Sequence, residues 1–152
     1  MTKEGLDAYG LNAAYTADSY GVSLTYATVE TSTTADDTWT ALNGYYSFDN
    51  GVSVSAGYEI GDIGGVTDVT ADEKTSIFVG VQGEVGPGTL GVAMGTKTPK
   101  VENVDEELMY EAFYSYALND GMTVTPLVYL KENALGGTPD EGGVMVKTSF
   151  SF

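Results

Sequence analysis

The 152-residue sequence contains no cysteine and no histidine. Without cysteine there is no disulfide framework and no thiol nucleophile, and without both residues there is no Cys/His zinc site. Histidine is also the commonest general base, so Ser-His-Asp and Cys-His catalysis are excluded. We therefore predict that the chain is not an enzyme, and we predict no catalytic residue, no metal site and no cofactor.

Positive charge is scarce. The chain carries six Lys+Arg against 22 Asp+Glu, which gives a formal net charge of −16. Binding to nucleic-acid phosphates requires the opposite sign, so nucleic acid is excluded as a partner. The acidity suits a secreted or surface-exposed protein, and the length is that of a single domain.

Long apolar runs are missing as well. None approaches the roughly 20 residues that a transmembrane helix requires, and residues 1–5 contain no apolar secretory segment before Leu6. The sequence instead has 20 glycines and 11 tyrosines, with abundant Thr, Val and Ser. This composition favours strands, and we predict an all-β fold.

The last segment, residues 143–152, alternates apolar and polar side chains and ends on a phenylalanine. Alternation in a strand places Val144, Val146, Phe150 and Phe152 on one side. A membrane-spanning barrel needs such a pattern, although many soluble strands alternate too. We predict an outer-membrane barrel strand, with Phe150 and Phe152 forming an assembly signal for the barrel-assembly machinery.

Turn signals recur along the chain at 18–21, 49–51, 86–88 and 119–121. Longer acidic or glycine-rich stretches lie between them, at 30–38, 61–73, 98–107 and 132–142. Short and long connections should therefore alternate strictly, as in outer-membrane barrels. Nine strands are predicted, over residues 6–17, 22–29, 40–48, 52–60, 75–85, 89–97, 108–118, 122–131 and 143–152.

The two sides of these strands differ in chemistry. One side carries apolar residues without a charge, as a lipid-facing surface requires. The other side is predicted to be small and polar, which suits a water-filled lumen because such side chains cannot build a dense core. Tyrosines near strand ends, with Trp39 and Phe48, predict an aromatic girdle, and Pro126 predicts a bulge or bend.

Several charged residues are candidates for the pore lining. On the predicted lumenal side these are Glu59, Glu84, Lys97, Glu111, Lys131 and Lys147. Lys147 lies near mid-strand, where it would tune ion selectivity or instead pair with Glu111 and stabilise the wall.

Two acidic stretches could capture cations, although oxygen-rich loops are more often solvated surface. They comprise Asp105, Glu106 and Glu107 in one loop, and Asp62, Asp68, Asp72 and Glu73 in another.

Residues 110–116, 119–130 and 143–152 resemble the C-terminal end of cyanobacterial outer-membrane porins. These are the carbohydrate-selective or iron-uptake porins that carry an S-layer homology domain. The resemblance implies passive passage of small hydrophilic solutes and ions, such as sugars or inorganic iron, through a homotrimeric outer-membrane pore of about sixteen strands. The implied partners are outer-membrane lipid, the barrel-assembly machinery, and small solutes or cations.

The sequence departs from that family in lacking the N-terminal S-layer homology domain and about half of the strands. We therefore expect residues 1–152 to be the C-terminal part of a porin β-barrel. On its own, a nine-stranded barrel could close only through a parallel seam, or as eight strands without residues 6–17. Two alternatives are a non-conducting barrel or surface-interaction protein with acidic extracellular loops, and a soluble secreted β-protein.

Overall fold

The computed structural model describes residues 7–32, 35–64, 73–98, 106–133 and 138–152. No helix in these ranges is long and apolar enough to cross a membrane. The described residues form nine strands, β1 (Ala8–Thr16), β2 (Tyr20–Ser32), β3 (Ala35–Ser47), β4 (Ser53–Ile63), β5 (Glu73–Val85), β6 (Gly88–Lys97), β7 (Glu107–Asn119), β8 (Met122–Lys131) and β9 (Glu141–Phe150).

All nine strands form one antiparallel sheet in which each strand pairs with its neighbours in the chain. This confirms the predicted all-β fold of the porin type. Strand β1 pairs with β2 from Ala8 to Thr16, so it is not left out of the sheet. Among the described residues no pairing joins β1 to β9, and the sheet is open. Neither of the two expected closures is formed.

The connection between β2 and β3 differs from the prediction. A long loop was expected over 30–38, but the two strands continue to Ser32 and from Ala35. Glu30 pairs with Asp36, and an irregularity in register follows between Glu30 and Ser32. The acidic residues suggest a loop in the sequence, yet the threonines and the valine around them favour a strand. Strict alternation of short and long connections is therefore wrong at this position.

Pro126 interrupts the pairing of β7 with β8 without the predicted bulge. The pairs Phe113–Leu127 and Tyr116–Val124 keep one register, and the two positions between them are unpaired. Proline has no N–H to donate to the opposite carbonyl, which removes ladder hydrogen bonds but inserts no residue. The register shift in this hairpin lies instead at Ala117–Asn119, beside the turn.

The sheet has one layer and no core. Among the described residues no large side chain is fully buried and no polar side chain is buried. The accessible surface is 10628 Å², whereas a compact soluble monomer of 16.0 kDa would expose about 7,400 Å². A water-soluble fold would have to cover one of these faces, so the packing of the described residues argues against the soluble alternative.

Candidate channel wall

One face of the sheet, here called the apolar face, consists of large hydrophobic side chains that are all exposed. The cross-strand register brings them together because directly paired residues point to the same side. Its members are Tyr9, Leu11, Tyr15, Tyr20, Val22, Leu24, Tyr26, Leu42, Tyr46, Val54, Tyr58, Ile77, Val79, Val81, Leu90, Val92, Met94, Tyr110, Val128, Leu130, Val144, Val146 and Phe150. Such a continuous patch far exceeds what soluble monomers expose.

Charge on the apolar face is confined to its edge. Glu30 pairs with Asp36, and Asp62 pairs with Glu73, all at the strand ends away from the short turns. Four strands are 13 residues long, which exceeds the roughly 9–11 residues that a tilted membrane strand needs. The predicted exclusion of charge therefore holds over the central part of this face. The acidic pairs lie outside that central part, at the ends of the long strands.

Aromatic side chains collect on the apolar face near the short turns. The Tyr15 and Tyr20 rings lie 6.0 Å apart and the Tyr46 and Phe48 rings 4.8 Å apart, while Tyr20 pairs directly with Tyr46. This arrangement is typical of one interfacial girdle. Trp39 was expected in the girdle but pairs with Ala27 and Gly61 on the opposite face.

The two residues of the predicted assembly signal lie in different environments. Phe150 is the last residue of β9 and is on the apolar face opposite Met122. Phe152 follows the strand, which ends two residues earlier than predicted. The Ser151 N–H donates to the Gly121 carbonyl at 2.9 Å and ties the end of the chain to the β7–β8 turn.

The opposite face, here called the polar face, carries all six predicted pore-lining charges. Glu59 lies opposite Ala41 and Ser76, and Glu111 lies opposite Ala93 and Tyr129. Of the remaining four, three lie at the ends of the sheet and one lies within a strand. Lys97 and Lys131 are near the long connections, Glu84 is near a short turn, and Lys147 lies within β9.

A row of alternating charge crosses β6 to β9 on the polar face. Lys131 Nζ lies 3.3 Å from Glu107 Oε2, Lys97 is directly opposite Glu107, and Lys131 is directly opposite Glu141. Opposite charges on facing residues stabilise neighbouring strands. Glu107 is only 14% exposed, so its carboxylate is held in this row and does not extend into solvent as a cation-capturing loop residue.

Lys147 does not pair with Glu111. Lys147 is directly opposite Thr125, whose hydroxyl contacts Ser115 Oγ at 3.2 Å. Glu111 is opposite Tyr129, and no ion pair to Lys147 occurs within the part of the chain that the structure describes. Lys147 therefore lies on the polar face opposite a hydroxyl side chain and not opposite a carboxylate.

The acidic stretches predicted as cation sites are only partly described. Glu106 Oε1 accepts a hydrogen bond of 3.1 Å from Thr75 Oγ1, and Asp62 faces Glu73 across β4 and β5. Asp68, Asp72 and Asp105 lie outside the described residues. No group of three or more acidic side chains within the described ranges is arranged to hold a metal ion.

The polar face also contains aromatic rings that the sequence did not predict there. Trp39 lies over Gly61, Tyr45 over Gly21, Phe113 over Gly91 and Tyr129 over Gly143. In each case the glycine is directly opposite the aromatic residue in the neighbouring strand. A Cβ at Gly21 would lie 2.5 Å from Tyr45 Cε1 and one at Gly61 would lie 2.7 Å from Trp39 Cδ1. Glycine thus lets each ring lie against the backbone of the sheet.

A single-layer antiparallel sheet with one exposed apolar face and one polar face is the construction of a membrane β-barrel wall. The fold and its two faces therefore define an outer-membrane barrel protein. The sequence matches the Gram-negative porin family over residues 2–133, and the chain belongs to this family. Membership implies a location in the outer membrane and a channel in place of an enzyme. No curated protein matches the sequence.

Proposed function

We propose that this chain forms part of a porin wall that allows passive diffusion of small hydrophilic solutes and ions across the outer membrane. The observation that carries the proposal is the separation of the two faces. Large side chains such as Leu11 and Val144 are exposed on one face, and Glu59, Glu111 and Lys147 lie on the other. Hydrocarbon stabilises the first face and water the second.

The open edges of the sheet support a larger barrel. Because nine antiparallel strands alternate in direction, β1 and β9 run the same way. A closed barrel that keeps every neighbouring pair antiparallel must therefore insert an odd number of further strands between β9 and β1. We propose that the chain is the C-terminal part of such a barrel, which assembles as a homotrimer with the help of the barrel-assembly machinery.

The pore favours cations over anions in this proposal. Outside the row of alternating charge, the described polar face carries four carboxylates and two ammonium groups, those of Asp37, Glu59, Glu84, Glu111, Lys74 and Lys147. The whole chain has a net charge of −16. A negative wall raises the local concentration of cations. We further propose that the solutes include sugars and inorganic iron, as the family resemblance implies.

Planar-bilayer recording of the refolded 152-residue chain tests the proposal. Discrete conductance steps are expected, with a reversal potential under a salt gradient that indicates cation preference. That preference should weaken as salt rises, because exposed charges are screened within about 10 Å at 0.1 M.

The double variant Glu59→Gln, Glu111→Gln provides the test of the wall charges. It should conduct with a reversal potential closer to zero, and Glu30→Gln, a change on the edge of the apolar face, is the matched control that should leave the potential unchanged. Folded protein that gives no conductance would contradict a pore formed by this chain alone and favour a non-conducting or incomplete barrel.

A further inference from the structure

A trough of about 310 Å³ lies on the polar face between β3 and β7, toward the short turns. Tyr45, Phe78 and Phe113 line it. Two of these rings lie over cross-strand glycines, Tyr45 over Gly21 and Phe113 over Gly91. Tyr45 and Phe78 are 44% and 46% exposed, and Phe113 is half-buried.

Hydrogen-bonding groups complete the trough between the rings. Ser47, Ser53, Ser55 and Gln82 line it together with Gly80, and Ser47 Oγ lies 2.9 Å from Ser53 Oγ. Serine hydroxyls and the glutamine amide both donate and accept hydrogen bonds. No charged residue lines this trough, although the chain carries 28 Asp, Glu, Lys and Arg side chains in total.

We propose that the trough binds a neutral polyhydroxylated ring, a pyranose unit of a sugar. The C–H groups on one face of a pyranose are apolar and stack on an aromatic ring, while the hydroxyl groups at its edge exchange hydrogen bonds with serine and glutamine. The volume falls at the lower end of the roughly 300–1,000 Å³ of small-molecule sites. The inference rests on the proposed function, because the trough must face the aqueous passage to meet a solute.

The charge distribution favours a neutral ligand over an ion. Glu84 and Glu111 lie on the same face beside the trough without lining it. A carboxylated sugar would be repelled by both, and a small cation would be attracted to them and not to the uncharged trough. An acyclic polyol has the hydroxyl groups of a sugar but no ring face to stack.

Saturation-transfer NMR tests the site, with maltose as the probe and the full chain refolded in detergent micelles. Folding is first verified by heat-modifiable gel migration. We expect millimolar binding of maltose, with saturation reaching the ring C–H protons, and at least threefold weaker binding of sorbitol and gluconate.

Two variants remove an aromatic face and keep an apolar side chain of similar size, Phe78→Leu and Phe113→Leu. Each should weaken maltose binding about threefold to tenfold. The matched control is Trp39→Leu, which removes a ring of the polar face that lies over a glycine outside the trough. It should leave maltose binding within twofold of the parent chain.

Unchanged binding in both phenylalanine variants, or sorbitol binding as tight as that of maltose, would overturn the inference. The maltose-binding experiment and the conductance experiment can fail independently of each other. A chain that conducts ions but binds no maltose refutes the sugar site alone, whereas maltose binding in a folded chain without conductance supports the site and refutes a pore formed by this chain alone.

Discussion

A lysine in the middle of the apolar face should destabilise the membrane-inserted chain strongly. Val92 is central in β6, 46% exposed, and directly opposite Val81 and Ala112. At the bilayer midplane a lysine facing lipid costs about 2–4 kcal/mol, whereas an exposed substitution in water changes stability by only about 0.5 kcal/mol. We therefore expect Val92→Lys to lower the free energy of unfolding from lipid by about 2–4 kcal/mol.

Urea titration of vesicle-inserted protein, followed by the fluorescence of Trp39, measures this difference. The matched control is Ala93→Lys, one residue further along the same strand. Ala93 is on the polar face directly opposite Glu111, so the new lysine gains a cross-strand partner of opposite charge, worth about 0.2–1 kcal/mol. Equal losses for both variants, or a loss below about 0.5 kcal/mol for Val92→Lys, would refute the assignment of the two faces.

Four other substitutions test three further features of the sheet. Pro126→Val restores a ladder donor at the gap between β7 and β8 and should raise the free energy of unfolding by about 0.5–1.5 kcal/mol; an unchanged urea midpoint would contradict this account of the gap. Gly91→Val places side-chain atoms where an aromatic ring now lies, and should cost about 1–3 kcal/mol by overpacking, a loss that urea titration would show. Glu107→Gln removes the partner of Lys131 and should move the reversal potential toward anion preference, while Lys131→Met should move it the opposite way. Shifts of the same sign in both would contradict a role for this charge row in selectivity.

The period of the apolar residues was sufficient to predict nine strands and the membership of each face. The bounds of β8 agree with the prediction at both ends, and most of the others differ by one to three residues. Alternation has a period of two, so one misplaced boundary does not exchange the faces. The extension of β2 and β3 was missed because Glu30 and Asp36 look like loop residues when no membrane boundary is known.

The position of the polar-face rings over glycines could not be predicted from single strands. The residue that indicates where the Phe113 ring lies is its cross-strand partner Gly91, and for Tyr45 it is Gly21. These partners are recognised only when the cross-strand register is known, because glycine and ring are far apart in the sequence. The same reason explains why Lys131 was not paired with Glu107 in the prediction.

Cysteine accessibility along β6 tests the central claim most directly, because the chain has no native cysteine. Single cysteines at Thr89 and Ala93 lie on the polar face, and those at Leu90 and Val92 lie on the apolar face. In lipid vesicles, a charged, water-soluble maleimide should label the first two rapidly and the last two hardly at all. Similar labelling at all four positions, or preferential labelling of Leu90→Cys and Val92→Cys, would contradict a wall with one face to water and one to lipid.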